Sequence, residues 1–278
     1  MVDNKIKLTV LNEPTAAAFT DISSQCHDFS RDAVSVTMTA TTSHVYVGYY
    51  KPINSIYIDF TTPNTNTSVL TVEKYNGAYT AVASLQDDSK GLSRNGFINW
   101  NRATDEVAVT VNSTTLFWYK LTISVTTSAM SINGISFLFA DDQDLKQEVP
   151  EIADTNHLAG KASHVLTHIA VRNQIIQDLR NKDYTHTNQS TGVKENLTVW
   201  DILDANQLKQ AAIFLALSKI YFNFSDTVDD KYSQKSIAFN DKYVKSINLA
   251  RISLDNDEDG IADDHEVGRE FTNIRIRR

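Results

Sequence analysis

Over the first half of the chain, apolar and polar positions come in short runs rich in β-branched and aromatic residues. SVTMTA (35–40), HVYVGYY (44–50), SIYIDF (55–60), SVLTVEKY (68–75), EVAVTV (106–111), WYKLTISV (118–125) and ISFLFA (135–140) all have this character. It predicts strands, and the alternation in SIYIDF and EVAVTV predicts one buried and one wet face. Turn chemistry lies between them in KPIN, TTPNTN, YNGAY and INGI, the last two with Asn-Gly pairs suited to tight hairpins. So many short strands before residue 145 predict an antiparallel β-sandwich, jelly-roll-like.

The pattern changes in ADDQDLKQEVPEIADTN (140–156), which is acidic, contains Pro150 and shows little apolar periodicity. The expected division is a β-sandwich over 1–145, a linker over 146–156 and a helical domain over 157–278. In the last of these, Leu158, Ala162, Val165, Ile169, Ile176 and Leu179 recur at helical spacing, with Thr155 or Asn156 as cap. After the polar loop DYTHTNQSTGVKENL, Thr198 and Asp201 stand at capping-box spacing before AAIFLALSKIYF. That body is apolar nearly all round, which predicts the most buried helix. A third helix places Tyr232, Phe239, Tyr243, Ile247 and Ala250 on one stripe, with Lys231, Lys235, Lys242 and Lys245 mostly off it. Asp229 and Asp230 sit at its start, where the helix dipole favours negative charge. The tail FTNIRIRR alternates apolar and basic residues, as a short strand or extended arm does. The expected class is α+β multidomain, a β-sandwich followed by an α-helical bundle with a short C-terminal strand or loop.

Composition narrows the function. The chain has 278 residues, 41% hydrophobic and 22% charged, enough for two folded domains. A net charge of −8 and a pI near 5.3 argue against a surface that grips nucleic acid, because such surfaces neutralise phosphates with Lys and Arg. The single cysteine, Cys26, excludes an intrachain disulfide and reads as a small buried hydrophobe in a reducing compartment. The start MVDNKIKLTVLNEPT lacks the parts of a signal peptide, and no apolar run is long enough to span a bilayer.

One motif carries specific chemistry. In DNDEDGIADDHE (255–266), Asp255, Asp257 and Asp259 hold positions 1, 3 and 5 of an EF-hand loop, Gly260 position 6, Asp263 position 9 and Glu266 position 12. Ile261, at position 7, would contribute its backbone carbonyl. Ca²⁺ takes six to eight hard oxygens, and alternate acidic side chains converge as such a loop curls. The loop stands alone after ARISL, a strand-like stretch, so the expectation is a structural Ca²⁺ clip rather than a sensor. The alternative is an acidic solvated turn.

Other constellations are weaker. His164 and His168 lie one helical turn apart, but without an acidic or cysteine ligand beside them they read as helix-surface histidines. Asp87 and Asp88, being adjacent, would point to opposite faces of a strand or sit solvated in a loop. No nucleophile elbow, phosphate-binding glycine loop or Rossmann fingerprint occurs, so no catalytic residue is assigned. Trp100 and Trp118 with Tyr75 and Tyr79 offer either a sugar-stacking platform or core aromatics at strand ends. Arg269, Arg275, Arg277 and Arg278 form a basic cluster that either meets an acidic neighbour or stays solvated.

QLKQAAIFLALSKIYFNF, the acidic break SDTVDDKY, the stretch ending DKYVKSINLA and the strand-like LARISLDNDEDG together resemble the head-tail connector or adaptor proteins of tailed bacteriophages, over about 120 residues. The first half is similar to β-sandwich modules of phage virion proteins, through KPINSIYIDF, VEKYNGAY, LQDDSKGLSRNGFINW and LFWYKLTISV in that order. In those modules the stretch like GFINW precedes a strand, and the stretch like FWYKLTI is a late core strand. A compact adaptor lacks so large a β domain, and here the chain departs from the pattern. The resemblance implies a non-enzymatic virion protein, assembled in the host cytoplasm without membrane contact. It would form a homo-oligomeric ring, commonly twelvefold, in the neck between the portal protein and tail proteins. DNA would pass through such a ring without sequence readout, in keeping with the acidic charge. The competing expectation is a calcium-dependent carbohydrate-binding adhesion protein that uses Trp100, Trp118, Tyr75 and Tyr79.

Overall fold

The computed structural model describes residues 8–27, 29, 33–40, 42–158, 161, 163–182, 184–188, 193–203, 205–227, 230–250 and 252–254. The chain divides into two compact units, Met1–Phe137 and Leu138–Arg278.

The first unit runs β1 (Thr9–Thr15), β2 (Ala18–Asp21), a single helical turn α1 (Ser23–Cys26), β3 (Val34–Val36), β4 (His44–Tyr49), β5 (Ser55–Thr62) and β6 (Leu70–Tyr75). It continues with β7 (Tyr79–Ala81), β8 (Ala83–Asp87), β9 (Gly96–Asn101), β10 (Val109–Val111), β11 (Thr114–Ile123) and β12 (Met130–Ser136). These strands make two antiparallel sheets. One has seven strands in the order β2-β1-β4-β11-β6-β7, with β10 beside β11; the other has five, β3-β12-β5-β9-β8.

The two Asn-Gly pairs part company. In YNGAY, Tyr75 pairs with Tyr79 around Gly77, whose φ of 105° suits glycine, so this pair closes a hairpin. INGI does not turn. Gly134 lies inside β12 at a register irregularity with β5, and a Cβ there would sit 2.3 Å from the Phe29 ring. GFINW is itself the strand β9, and FWYKLTI belongs to β11, where Trp118, Tyr119 and Leu121 are buried.

Strand burial departs further from the alternating pattern. Every residue of β4 is buried. Val45 and Val47 pair with Leu121 and Tyr119 on one face of the seven-stranded sheet. On the other face Tyr46 and Trp118 join Leu11 and Val111 in a second apolar cluster, with Phe19, Tyr79, Val109 and Leu116 packed against it. Strand β5 is also buried on both sides, and its inward acid Asp59 is satisfied by Asn95 and Asn133 side-chain amides at 2.5 and 2.6 Å. The single wet face expected for SIYIDF is therefore corrected.

In the second unit α2 (Asp142–Glu148) is followed by a 3-10 turn (Pro150–Ala153), α3 (Thr155–Leu158), α4 (Val165–Arg180), β13 (Thr185–Asn188) and β14 (Val193–Asn196). A second 3-10 turn (Val199–Asp201) leads to α5 (Asn206–Asn223) and α6 (Lys231–Leu249). The acidic stretch read as a linker is thus α2 and its turn. Asp141 caps α2 by accepting from the Gln143 and Asp144 backbone N–H, and the Asp144 side chain accepts from the Asp141 N–H in return. The polar loop before the second helix holds the hairpin β13–β14. Thr198 and Asp201 form their box, but on the 3-10 turn rather than on α5. Ile202 and Leu254 form an isolated antiparallel bridge.

These findings correct the expected jelly-roll-like β-sandwich followed by a helical bundle. The fold is mixed and β-rich, two antiparallel sheets with helices mostly in the C-terminal half. The first expectation fails because one sheet carries apolar clusters on both faces. The second fails because a hairpin, two 3-10 turns and a strand bridge interrupt the helices. Among the described residues no helix is long and apolar enough to cross a membrane.

Candidate functional site

In the second unit a surface groove forms around α5. That helix buries Leu208, Ala211, Ala212, Leu215, Ala216, Leu217 and Ile220, as its nearly uniform apolar sequence requires. Its partner α6 starts cleanly because the Asp230 carboxylate accepts from the Ser233 N–H at 2.6 Å, and this bond holds the carboxyl below its ordinary range. The two helices meet through small side chains. Ser218 Oγ donates to the Ser236 carbonyl at 2.9 Å, and Ser236 Oγ donates to the Ser218 carbonyl at 3.0 Å.

One side of the pair is closed. Tyr221 stacks on Phe239 with centroids 5.8 Å apart. Lys235 lies over Tyr221 at 4.7 Å, and Lys242 lies over Phe239 and Phe214 at 4.8 and 5.0 Å. The same lysines reach the α2 region, Lys242 to Glu148 at 3.1 Å and Lys235 to Glu151 at 3.8 Å, while Lys209 of α5 meets Asp144 at 2.7 Å.

The other side is open. A groove of about 600 Å³ runs over α5 between α4 and α6, lined among others by Leu166 and Ala170, Leu215, Lys219 and Phe222, and Ile237. Leu166 is 49% exposed, Phe222 70% and Ile237 57%, so three large apolar side chains from three helices face solvent around one concavity. Exposed apolar patches of this kind mark interaction surfaces more often than chance.

The groove's α4 wall is anchored from below. The Asp142 carboxylate accepts from the His164 backbone N–H at 3.1 Å and from His168 Nε2 at 2.9 Å, and His164 Nε2 lies 3.0 Å from the Ile152 carbonyl. Both histidines are buried. The reading of them as helix-surface residues is corrected: they tie α4 to α2. Burial opposes charge on Asp142, yet the His168 hydrogen bond and the nearby imidazoles hold its carboxyl below the usual range. Burial first, and then the charge of Asp144, pushes Asp141 up.

The residues singled out by sequence are placed as follows. Asp255, Asp257, Asp259, Ile261, Asp263 and Glu266 lie outside the described residues, as does the Arg269–Arg278 cluster. Trp100 and Trp118 are 4% and 1% exposed and lie apart, Trp100 against Tyr119 and Trp118 edge-on to Tyr46. Tyr75 and Tyr79 touch edge to face, and Tyr79 continues to Tyr46. Rings packed edge-on in this way present no shared flat face for a sugar. Asp87 is the last residue of β8, and its carboxylate holds the following turn by accepting from Ser89 Oγ and from the Gly91 N–H.

Sequence reasoning missed a polar rim beside that aromatic chain. Glu13 accepts from the Ala17 N–H at 2.8 Å and the Tyr46 hydroxyl at 3.2 Å, while Glu73 pairs with Lys120 at 3.1 Å. Lys120 also lies 5.5 Å from the Tyr79 centroid. Burial raises the Tyr79 phenol to about 12 and, with Lys120 nearby, lowers His44. The chain's own lysine already occupies this acidic, aromatic recess. Among the described residues no group of three or more His, Cys, Asp or Glu side chains converges to hold a metal ion.

The groove was also missed, though its signal is present in α6: Ile237 and Val244 stand seven residues apart, off the core stripe. No family model, no curated protein and no solved structure matches this chain.

Proposed function

We propose that the chain is a non-enzymatic structural protein that works by docking its helical half against other subunits, in the manner of a tailed-phage neck adaptor between portal and tail. The observation that carries this reading is the open groove with Leu166, Phe222 and Ile237 exposed around it. A soluble surface keeps such side chains in water at a cost that contact with a partner removes. The groove falls in the half of the chain whose sequence stretches suggest the resemblance to phage connectors, and the net charge of −8 suits a neck through which DNA passes without being held.

The test is the assembly state of the full-length chain, by light scattering and negative-stain microscopy, followed by immunolabelling of phage particles. Oligomers in solution and label at the neck support the reading. A monomer at every concentration and salt, with no label on particles, would overturn it.

A further inference from the structure

Among the described residues the groove has one charged side chain on its lining, Lys219, in a molecule of net charge −8, and no carboxylate. Two copies of an acidic protein repel, so contact is favoured where carboxylates are few and a cation waits. Beside the groove, α6 carries Ile237, Asp241 and Val244 at i, i+4 and i+7, all three exposed, which is one stripe of the helix. That stripe lies about half a turn from Lys235 and Lys242, which already pair with Glu151 and Glu148. Lys219 and Asp241 have no ion-pair partner among the described residues.

We propose that the groove receives α6 of a second copy of this chain, so that the apolar stripe meets Leu166 and Phe222 and Asp241 of each copy pairs with Lys219 of the other. Because Ile237 belongs to both the stripe and the groove lining, stripe and groove form one continuous patch. A patch that contains both halves of its own complement associates about a twofold axis, and every contact forms twice. The twofold pair would be a building unit, and a ring would need a further surface. Ala170 on the α4 wall lets the incoming helix approach closely.

This inference rests on the reading of the groove as an assembly surface. Its test is sedimentation equilibrium on the full-length chain as wild type, Lys219→Asp, Asp241→Lys, and the double variant that carries both. Both positions are on the surface, and far-UV circular dichroism checks that each variant is folded. The wild type is expected to form dimers or multiples of dimers. Each single change should weaken the dimer about tenfold or more, because it sets like charges opposite each other twice, and the double variant should recover it. Single variants that associate like the wild type, or a double variant no stronger than the singles, would overturn the inference while leaving the proposed function standing. A wild type that stays monomeric would overturn the inference, and only together with unlabelled phage particles would it overturn the proposed function.

Discussion

Gly48 has no side chain because the Trp118 indole lies where one would go: a Cβ would sit 2.5 Å from the ring. Gly77 has a different need. Nothing stands within 4 Å of its Cβ position, and its φ of 105° alone excludes an ordinary side chain. Nearest neighbours in sequence distinguish these cases poorly, since Gly48 sits in HVYVGYY as if it were a weak strand residue. Gly48→Ala should therefore destabilise the first unit by about 1–3 kcal/mol, the usual cost of overpacking a tight core. Urea unfolding followed by tryptophan fluorescence measures it. An unchanged midpoint would mean that Trp118 does not lie flat against the strand.

At the scale of elements, what was legible is what local chemistry decides. The runs behind β4, β5, β6 and β11 declared themselves by composition, and the α5 body by its unbroken apolar sequence. What was not legible depends on partners far along the chain. The apolar cluster over the Tyr46 face of β4 draws on β1, β10 and β11, and α2 was hidden in an acidic stretch because its stability lies in caps and ion pairs, not periodicity. His164 and His168 looked like surface residues because the residue that buries them, Asp142, stands more than twenty positions earlier. That clamp has a pH dependence. The Asp142 carboxyl is held below its unfolded value, so its contribution is present above about pH 4 and is lost as pH falls through the folded value. Asp141 works the other way: burial and Asp144 hold it up, so its cost at neutral pH is relieved on acidification. Asp142→Asn should be less stable than the wild type at neutral pH and lose less of its stability as pH falls. Denaturant midpoints from the helical circular dichroism signal at a series of pH values check this, and equal slopes for the two proteins would refute it.

The whole molecule has two compact units, one rich in strands and one rich in helices. Chains of this kind depart from all-or-none unfolding when each unit holds its own core. Calorimetry of the full-length protein should then show two transitions, and the two substitutions above should act on different ones. Gly48→Ala lowers the transition that tryptophan fluorescence follows in the β-rich unit, whereas Asp142→Asn lowers the transition that carries most of the helical signal. The association proposed for α6 adds a third handle, because a ligand that binds only the folded state raises its melting temperature with concentration. If copies pair through the groove, raising protein concentration should raise the helical transition and leave the β transition fixed. A single transition that both substitutions shift together would mean that the two units unfold as one, and that a subunit contact on the helices is felt throughout the chain.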